Sequence, residues 1–327
     1  MKTFLSIFFL FITCHSFSQN NYLLYHKLIY YAEEKILEEK YSDALNIYDS
    51  AFVIYEKKFS KDIYNAAICA AILDDKIKSK KYLFELSDYG IRYIHIIHRA
   101  IFRKALKNTS CSFYLDYIKN RKKQMNNFSF SNHKHFLDSL VFLDHQFRIK
   151  KGSYKIFSDT IKKIDSINII LLKNYLLKNE FPNEKQYKIQ YPNELYNPWV
   201  ILRHYFTHKI KDDTLPNILY SNVINGNLHI NIYYDFLDQQ PKKDITKKFC
   251  NTLIFEYNDA LYEKDYSMEM IQQINQNRLN VGLDSYSDYR KKLLYNKLNG
   301  KYPFIFNNIF GIVSIPELFK NLKKIHE

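Results

Sequence analysis

Apolar residues near the start of the chain recur with the spacing of an amphipathic helix. Leu28, Ala32 and Ile36 form a stripe that is interrupted by the polar residues 38–40. The stripe resumes with the residues Tyr41, Ala44, Leu45, Tyr48 and Ala51. Ser42 is a suitable N-cap for the second stretch. The pattern predicts two antiparallel helices that cross closely at their small alanines.

This pattern resembles a tetratricopeptide repeat, whose second helix carries Tyr-x-x-Ala-Leu-x-x-Tyr-x-x-Ala. A weaker copy follows, with matching residues at Ile63, Ala67, Ala71, Ser79, Leu83 and Leu86. The resemblance implies a helical array with a concave binding surface. Two such units leave a face of their stack uncovered, so the apolar segments 91–106 and 110–125 are expected to be helices that cap it. We therefore assign 19–125 to tetratricopeptide-like repeats and capping helices.

A different organisation begins after the polar segment 126–135, and we assign 126–300 to a second, mainly helical domain. Over roughly 136–295 its motifs resemble a bacterial domain of unknown function that follows signal peptides and repeats. The matching residues are Asp144 and Arg148, Asp165 and Asn168, His204, Asp238, and Arg278. The match is imperfect, because His145 stands where Gln is usual and a Gly/Gln/Tyr-rich tract is replaced by 245–262. The apolar tail 301–327 is expected to pack on the core.

Five polar residues at these motif positions are candidates for a catalytic or binding site: Asp144, Arg148, His204, Asp238 and Arg278. We expect them to converge around one pocket, with both arginines facing an anionic or carbonyl-bearing ligand. Asp144 would orient Arg148, and His204 would supply a group that titrates near neutral pH. The alternative is that each residue makes a separate cap or ion pair, as Asp144 and Arg148 do at helical i,i+4 spacing.

The sequence predicts no metal and no cofactor. It carries no Gly-rich phosphate loop, no Gly-x-Ser-x-Gly motif and no EF-hand loop. His204 and His208 are one helical turn apart, but Tyr205 stands where a His-Glu-x-x-His protease has its glutamate. That protease mechanism is therefore excluded by the sequence.

The first 18 residues have the pattern of a secretory signal peptide. Lys2 precedes an apolar run from Phe4 to Ile12, and small residues stand at Ser16 and Ser18. We expect the mature chain to begin near Gln19 and to be periplasmic or extracellular. The alternative is a lipid anchor on Cys14. Three other cysteines remain, Cys69, Cys111 and Cys250. They are odd in number and widely spaced, and none of them forms a metal or redox motif.

The chain of 327 residues has a formal net charge of +14, with 48 Lys and Arg against 34 Asp and Glu. The basic residues are mostly lysines in doublets that are spread along the whole chain, such as Lys122-Lys123 and Lys291-Lys292. Phosphate backbones are bound by clustered cations, so this distribution favours a solvated surface and no nucleic-acid partner.

Glycine and proline are scarce, at 6 and 7 residues, which favours long helices joined by short turns. The sequence therefore predicts an all-α protein: a short repeat-like array followed by a mainly helical domain. Its expected function is binding of a protein or peptide in the cell envelope, because no catalytic constellation is complete. The alternative is a hydrolase or other enzyme that uses the five candidate residues.

Overall fold

The computed structural model describes residues 21–107, 111–126, 131–192, 199–204, 214–239, 248–249, 254–295, 297, 300–306, 312–315, 318–319 and 321–325. Helices dominate this part of the chain, and the predicted all-α class is confirmed. The signal peptide and the candidate lipidation site Cys14 lie outside the described residues. No helix among those described is long and apolar enough to cross a lipid bilayer.

The first third of the chain forms short antiparallel helices. They are α1 (21–37), α2 (Tyr41–Ile54), α3 (Ser60–Ile72), α4 (Lys76–Glu85), a 3₁₀ turn (Leu86–Tyr89), α5 (Tyr93–Ile97), α6 (Ala100–Ala105) and α7 (Cys111–Asn126). Ala32, Ala44 and Ala51 are fully buried, as their place on the apolar stripe predicted. Gly90 ends the 3₁₀ turn with φ of +89°, a conformation that favours glycine.

Two local predictions in this part are wrong. Lys40, rather than Ser42, is the N-cap of α2, because Glu39 adopts a left-handed φ of +57° and the helix begins two residues earlier than predicted. The segment 91–106 was expected to be one helix, but it breaks at Arg99, which is extended. Phe102 of α6 packs edge-on against Tyr64 of α3, so contact with α3 sets the direction of α6 independently of α5.

The second part continues with a further series of helices. They are α8 (Ser131–Arg148), α9 (Ser153–Ile156), α10 (Ser158–Leu176), α11 (Glu184–Tyr187), α12 (Trp199–His204), α13 (Thr214–Ile224), α14 (Ile230–Asp238), α15 (Met268–Asn280) and α16 (Tyr286–Tyr295). The predicted cap at the start of α16 is confirmed, because Ser285 Oγ accepts a hydrogen bond from the Asp288 backbone N–H at 3.1 Å.

A small sheet interrupts the helical pattern, in the order β3-β1-β2-β4. Its strands are β1 (Ile254–Tyr257), β2 (Ala260–Lys264), β3 (Ile312–Ser314) and β4 (Leu322–Lys324). β1 and β2 form a hairpin around Asn258 and Asp259, which both have positive φ as a two-residue hairpin turn requires. β3 lies parallel to β1, and β4 lies antiparallel to β2. The hairpin lies in the segment that replaces the Gly/Gln/Tyr-rich tract.

One hydrophobic core runs from α1 to the tail and crosses the boundary that we placed at 126. The tail enters it through Phe304 and Phe306, which are buried beside Tyr295. Asn65 of α3 fixes the tail between them, since its amide group donates to Ile305 O at 2.7 Å and accepts from Ile305 N at 2.8 Å. A smaller core joins the hairpin to α15 and α16.

Candidate functional site

Two carboxylates lie on the buried faces of α8 and α10. Asp144 continues the buried stripe of Leu137 and Leu140, and Asp165 lies between Ile161 and Ile169 on the stripe of α10. Both helices pack together, so both acids point into the same interface. A buried charge is costly unless it is paired, and the structure supplies partners for both.

Arg148 joins the two carboxylates. Its Nε lies 3.3 Å from Asp144 Oδ2, one helical turn away, and its Nη2 donates to Asp165 Oδ1. Its Nη1 donates to the hydroxyl of Tyr154 at 3.0 Å. The predicted i,i+4 ion pair is thus present, and it is part of a larger arrangement.

His204 completes the group at the end of α12, which packs against both α8 and α10. Its Nδ1 lies 2.9 Å from Asp144 Oδ1 and 3.7 Å from Asp165 Oδ1. The shorter contact assigns a proton on Nδ1 that is donated to Asp144. We call Asp144, Arg148, Asp165 and His204 the His204 cluster. Its arginine and histidine side chains are 12% and 20% exposed, so solvent reaches it.

The electrostatics of the cluster favour an ionised Asp144. Burial by itself would raise the pKa of this carboxyl. The hydrogen bond from His204 and the charges of His204 and Arg148 outweigh burial and lower the pKa below its usual value. Asp144 is therefore an anion that orients both of its neighbours.

Asp144, Asp165 and His204 are also the residues that best resemble a metal-ligand set, since one ligand atom from each lies within 4.8 Å of the others. Arg148 already brings a positive charge among these atoms, because it contacts both carboxylates and its Nη2 lies 3.2 Å from His204 Nδ1. A guanidinium in this position would repel a metal ion. The geometry therefore fits an arginine–carboxylate network better than a metal centre.

The structure places the other two candidates elsewhere. Arg278 is fully buried in α15 and donates to Asp284 at 2.7 Å and to Phe249 O at 2.8 Å. Asp238 accepts from the Phe249 backbone N–H at 2.8 Å. Asp144, Arg148 and His204 contact one another, whereas Asp238 and Arg278 both contact Phe249. Arg278 is fully buried, so its guanidinium does not face solvent, and the convergence of all five residues on one pocket stays a prediction.

Asp165 and Tyr154 contribute to the site, yet neither was among the sequence candidates. Asp165 belonged to one of the matched motifs. Its position on the apolar stripe of α10 was the sequence feature that could have indicated a buried, paired carboxylate. Tyr154 carried no signal, since its contact with Arg148 depends on the turn between α8 and α9, where Gly152 has φ of +71°.

A second candidate site is an apolar groove between α4 and α7, with a cavity volume of about 460 Å³. Its lining residues are Ile77, Lys80, Lys81, Phe84, Phe113 and Asp116. We call it the α4–α7 groove. Ile77 is 83% exposed, although two phenylalanine rings line the same groove. Lys80 and Lys81 form no ion pair with any residue that the structure describes.

Comparisons with known proteins give no relative for this chain: no family model matches it, no curated protein matches it and no solved structure matches it. The resemblances to tetratricopeptide repeats and to a bacterial domain of unknown function therefore stay predictions. The geometry of the described residues alone supports the proposals that follow.

Proposed function

We propose that this chain is an exported protein that binds a protein or peptide partner through the α4–α7 groove. The observation that carries the proposal is the exposure of Ile77 beside Phe84 and Phe113. An apolar side chain of a partner would cover Ile77 and gain the hydrophobic free energy of its burial. The export signal at 1–18 supports an envelope location, with the lipid anchor at Cys14 as the alternative.

The groove has the layout of a surface for a short amphipathic segment. Ile77, Lys81 and Phe84 follow one another at helical spacings of four and three, so they share a face of α4. The rings of Phe84 and Phe113 lie edge to face at 6.4 Å and form the apolar floor. Lys80 and Lys81 outnumber the single acid Asp116, so the segment that best complements the groove is apolar and acidic.

Affinity capture from a bacterial envelope fraction, with the tagged full-length chain as bait, tests this proposal. We expect a protein that the wild type captures and that Ile77→Asp captures at least tenfold less. Ile149→Asp is the matched control, because Ile149 is similarly exposed, at 78%, and lies at the end of α8. Lys80→Glu with Lys81→Glu should weaken capture as well, and added salt should weaken it in the wild type. Equal capture by Ile77→Asp and the wild type would overturn the proposal.

A second candidate function is an enzyme, and the contact between Asp144 and His204 favours it. A carboxylate that accepts from Nδ1 orients the imidazole, as in histidine-based hydrolases. Turnover of p-nitrophenyl esters, phosphates and glycosides by the wild type is the check. Turnover that falls at least 100-fold in His204→Gln supports an enzyme, and turnover that is the same in both proteins excludes this role for His204.

A further inference from the structure

A cavity of about 190 Å³ lies between the α2–α3 connection and the segment that carries α11. Phe59 and Tyr89, both almost fully buried, form apolar parts of its wall. Glu184 and Lys185 contribute from α11, and Lys57 from the connection. The lining thus combines aromatic surface with charged groups, the composition of a small-ligand site.

Two ammonium groups at this cavity have no carboxylate partner among the described residues. Lys57 Nζ donates only to the neutral oxygens Asn225 O at 2.7 Å and Asn227 Oδ1 at 3.2 Å. Lys185 Nζ lies 5.1 Å from the centre of the Tyr89 ring and forms no ion pair with a described residue. By contrast, Lys58 is neutralised by Glu85 at 2.8 Å. Within the described part of the chain, the cavity therefore has two cations that no carboxylate pairs with directly.

Two acids also line the cavity, and neither cancels these cations. Glu56 is exposed, as Lys57 is, and it forms no ion pair with a residue that the structure describes. Glu184 is buried, and one of its oxygens accepts from the Ser60 backbone N–H at 2.6 Å at the start of α3. Burial, together with the nearby charge of Asp62, raises the pKa of Glu184 to about 7, although the hydrogen bonds from Ser60 and the charge of Lys61 act in the opposite direction. Near neutral pH a large share of the molecules therefore carries Glu184 as a neutral acid, which can donate a hydrogen bond to an anion.

We propose that this cavity binds a small organic anion, with its carboxylate or phosphate group on Lys57 and Lys185 and its apolar part against Phe59 and Tyr89. The two cations supply the charge complement, and the aromatic walls select a ligand with some hydrocarbon surface. Neutral Glu184 donates to the anion, so protonation of Glu184 and binding of the anion favour each other. This site is separate from the α4–α7 groove and does not depend on the function proposed above.

Calorimetric titration of the full chain with benzoate and with inorganic phosphate tests the site and separates the two anion types. We expect saturable binding of at least one probe. Benzoate keeps its single charge between pH 6 and pH 8, whereas inorganic phosphate gains charge, so the pH comparison uses benzoate. It should bind about tenfold tighter at pH 6 than at pH 8, since the neutral fraction of Glu184 falls by about that factor. Lys185→Gln should weaken binding at least fivefold. Lys35→Gln is the matched control, because Lys35 also lies over a tyrosine ring, at 5.0 Å from the centre of the Tyr31 ring.

The variant Glu184→Gln distinguishes a ligand site from a merely structural carboxyl. The amide keeps an oxygen for the Ser60 N–H and stays neutral at every pH. Binding in this variant should be as tight at pH 8 as the wild type shows at pH 6. The absence of saturable binding for both probes, an equal loss in Lys185→Gln and Lys35→Gln, or an unchanged pH dependence in Glu184→Gln would each overturn the proposal.

Discussion

Two groups of charged side chains in this protein have similar chemistry and differ in enclosure. The His204 cluster is in contact with solvent through Arg148 and His204. The other group, which we call the enclosed network, has side chains that are at most 2% exposed. It consists of Glu33, Lys61, Asp62, Arg278, Asp284 and Lys292.

The enclosed network is a continuous chain of ion pairs. Lys61 contacts Asp62 at 2.5 Å and Glu33 at 2.9 Å. Glu33 contacts Lys292 at 2.8 Å, and Lys292 contacts Asp284 at 3.0 Å. The chain ends at Arg278, which contacts Asp284. It links α1 and α3 to α15 and α16, so it spans elements from both predicted parts of the protein.

The balance of charge explains the different roles. Three acids face three bases in the enclosed network, so it is neutral without any histidine. Asp284 illustrates the balance: burial would raise its pKa, but Lys292 and Arg278 lower it. The His204 cluster has two acids and one arginine, and its fourth member is a partly exposed histidine that contacts Asp144. A group with solvent-accessible side chains can be reached by a ligand, whereas the enclosed network cannot.

Removing one charge from the enclosed network should have the largest effect on stability. Lys61→Met leaves Glu33 and Asp62 buried without their cation, and we expect the free energy of unfolding to fall by about 3–5 kcal/mol. Urea unfolding followed by circular dichroism measures it. Lys35→Met is the control, because it breaks the exposed pair with Glu38 and should leave the urea midpoint unchanged. An unchanged midpoint for Lys61→Met would show that the network does not stabilise the fold.

Glu184 adjoins the network as an enclosed acid that forms no ion pair with a residue in the described ranges, so its ionisation should be unfavourable. Its pKa is raised from 4.5 to about 7 in the folded state, which means that stability falls as pH rises from 4.5 to 7. Glu184→Gln removes this loss. We expect it to be more stable than the wild type at pH 8, by roughly 3 kcal/mol, and equal to it near pH 4. A variant no more stable than the wild type at pH 8 would contradict the assignment.

Within the His204 cluster, Asp144→Asn should have a moderate effect. The native carboxylate has a lowered pKa, so its stabilisation is present above its ordinary value of 3.8 and is lost as pH falls through the folded-state pKa. We expect the variant to lose about 1–2 kcal/mol at pH 7 and to approach the wild type in strong acid. Chemical unfolding at several pH values measures this difference. A loss that persists undiminished at the lowest pH would assign the effect to packing.

The smallest effect is expected for His204→Gln. The side chain is partly exposed, so water can replace its contact with Asp144, and the free energy of unfolding should change by less than about 1 kcal/mol. Thermal unfolding followed by circular dichroism checks this. A loss as large as that of Lys61→Met would remove the distinction between the two groups and make His204 a structural residue.

Local features of this protein are determined by the sequence itself. The spacing of Leu28, Ala32 and Ile36 places the helices, Ser285 caps α16, and Asp144 pairs with Arg148 one turn away. Each of these depends on residues within about one helical turn of one another, where backbone geometry fixes the distance. The hairpin of β1 and β2 is the exception. Its Asn-Asp turn is a hairpin signal, and the scarcity of glycine led us to expect helices instead.

Only the tertiary structure decided which of the polar residues meet. Asp165 reaches His204 because α8, α10 and α12 pack together, and Arg278 is enclosed because α15 lies against the network that begins on α1. Asn65 pairs with the backbone of Ile305 across 240 residues of sequence. Periodicity states which face of a helix is buried, but not which helix will cover it, since many partners bury the same apolar area. The identity of the covering helix, and with it the difference between a stabilising ion pair and an accessible site, is therefore a property of the fold.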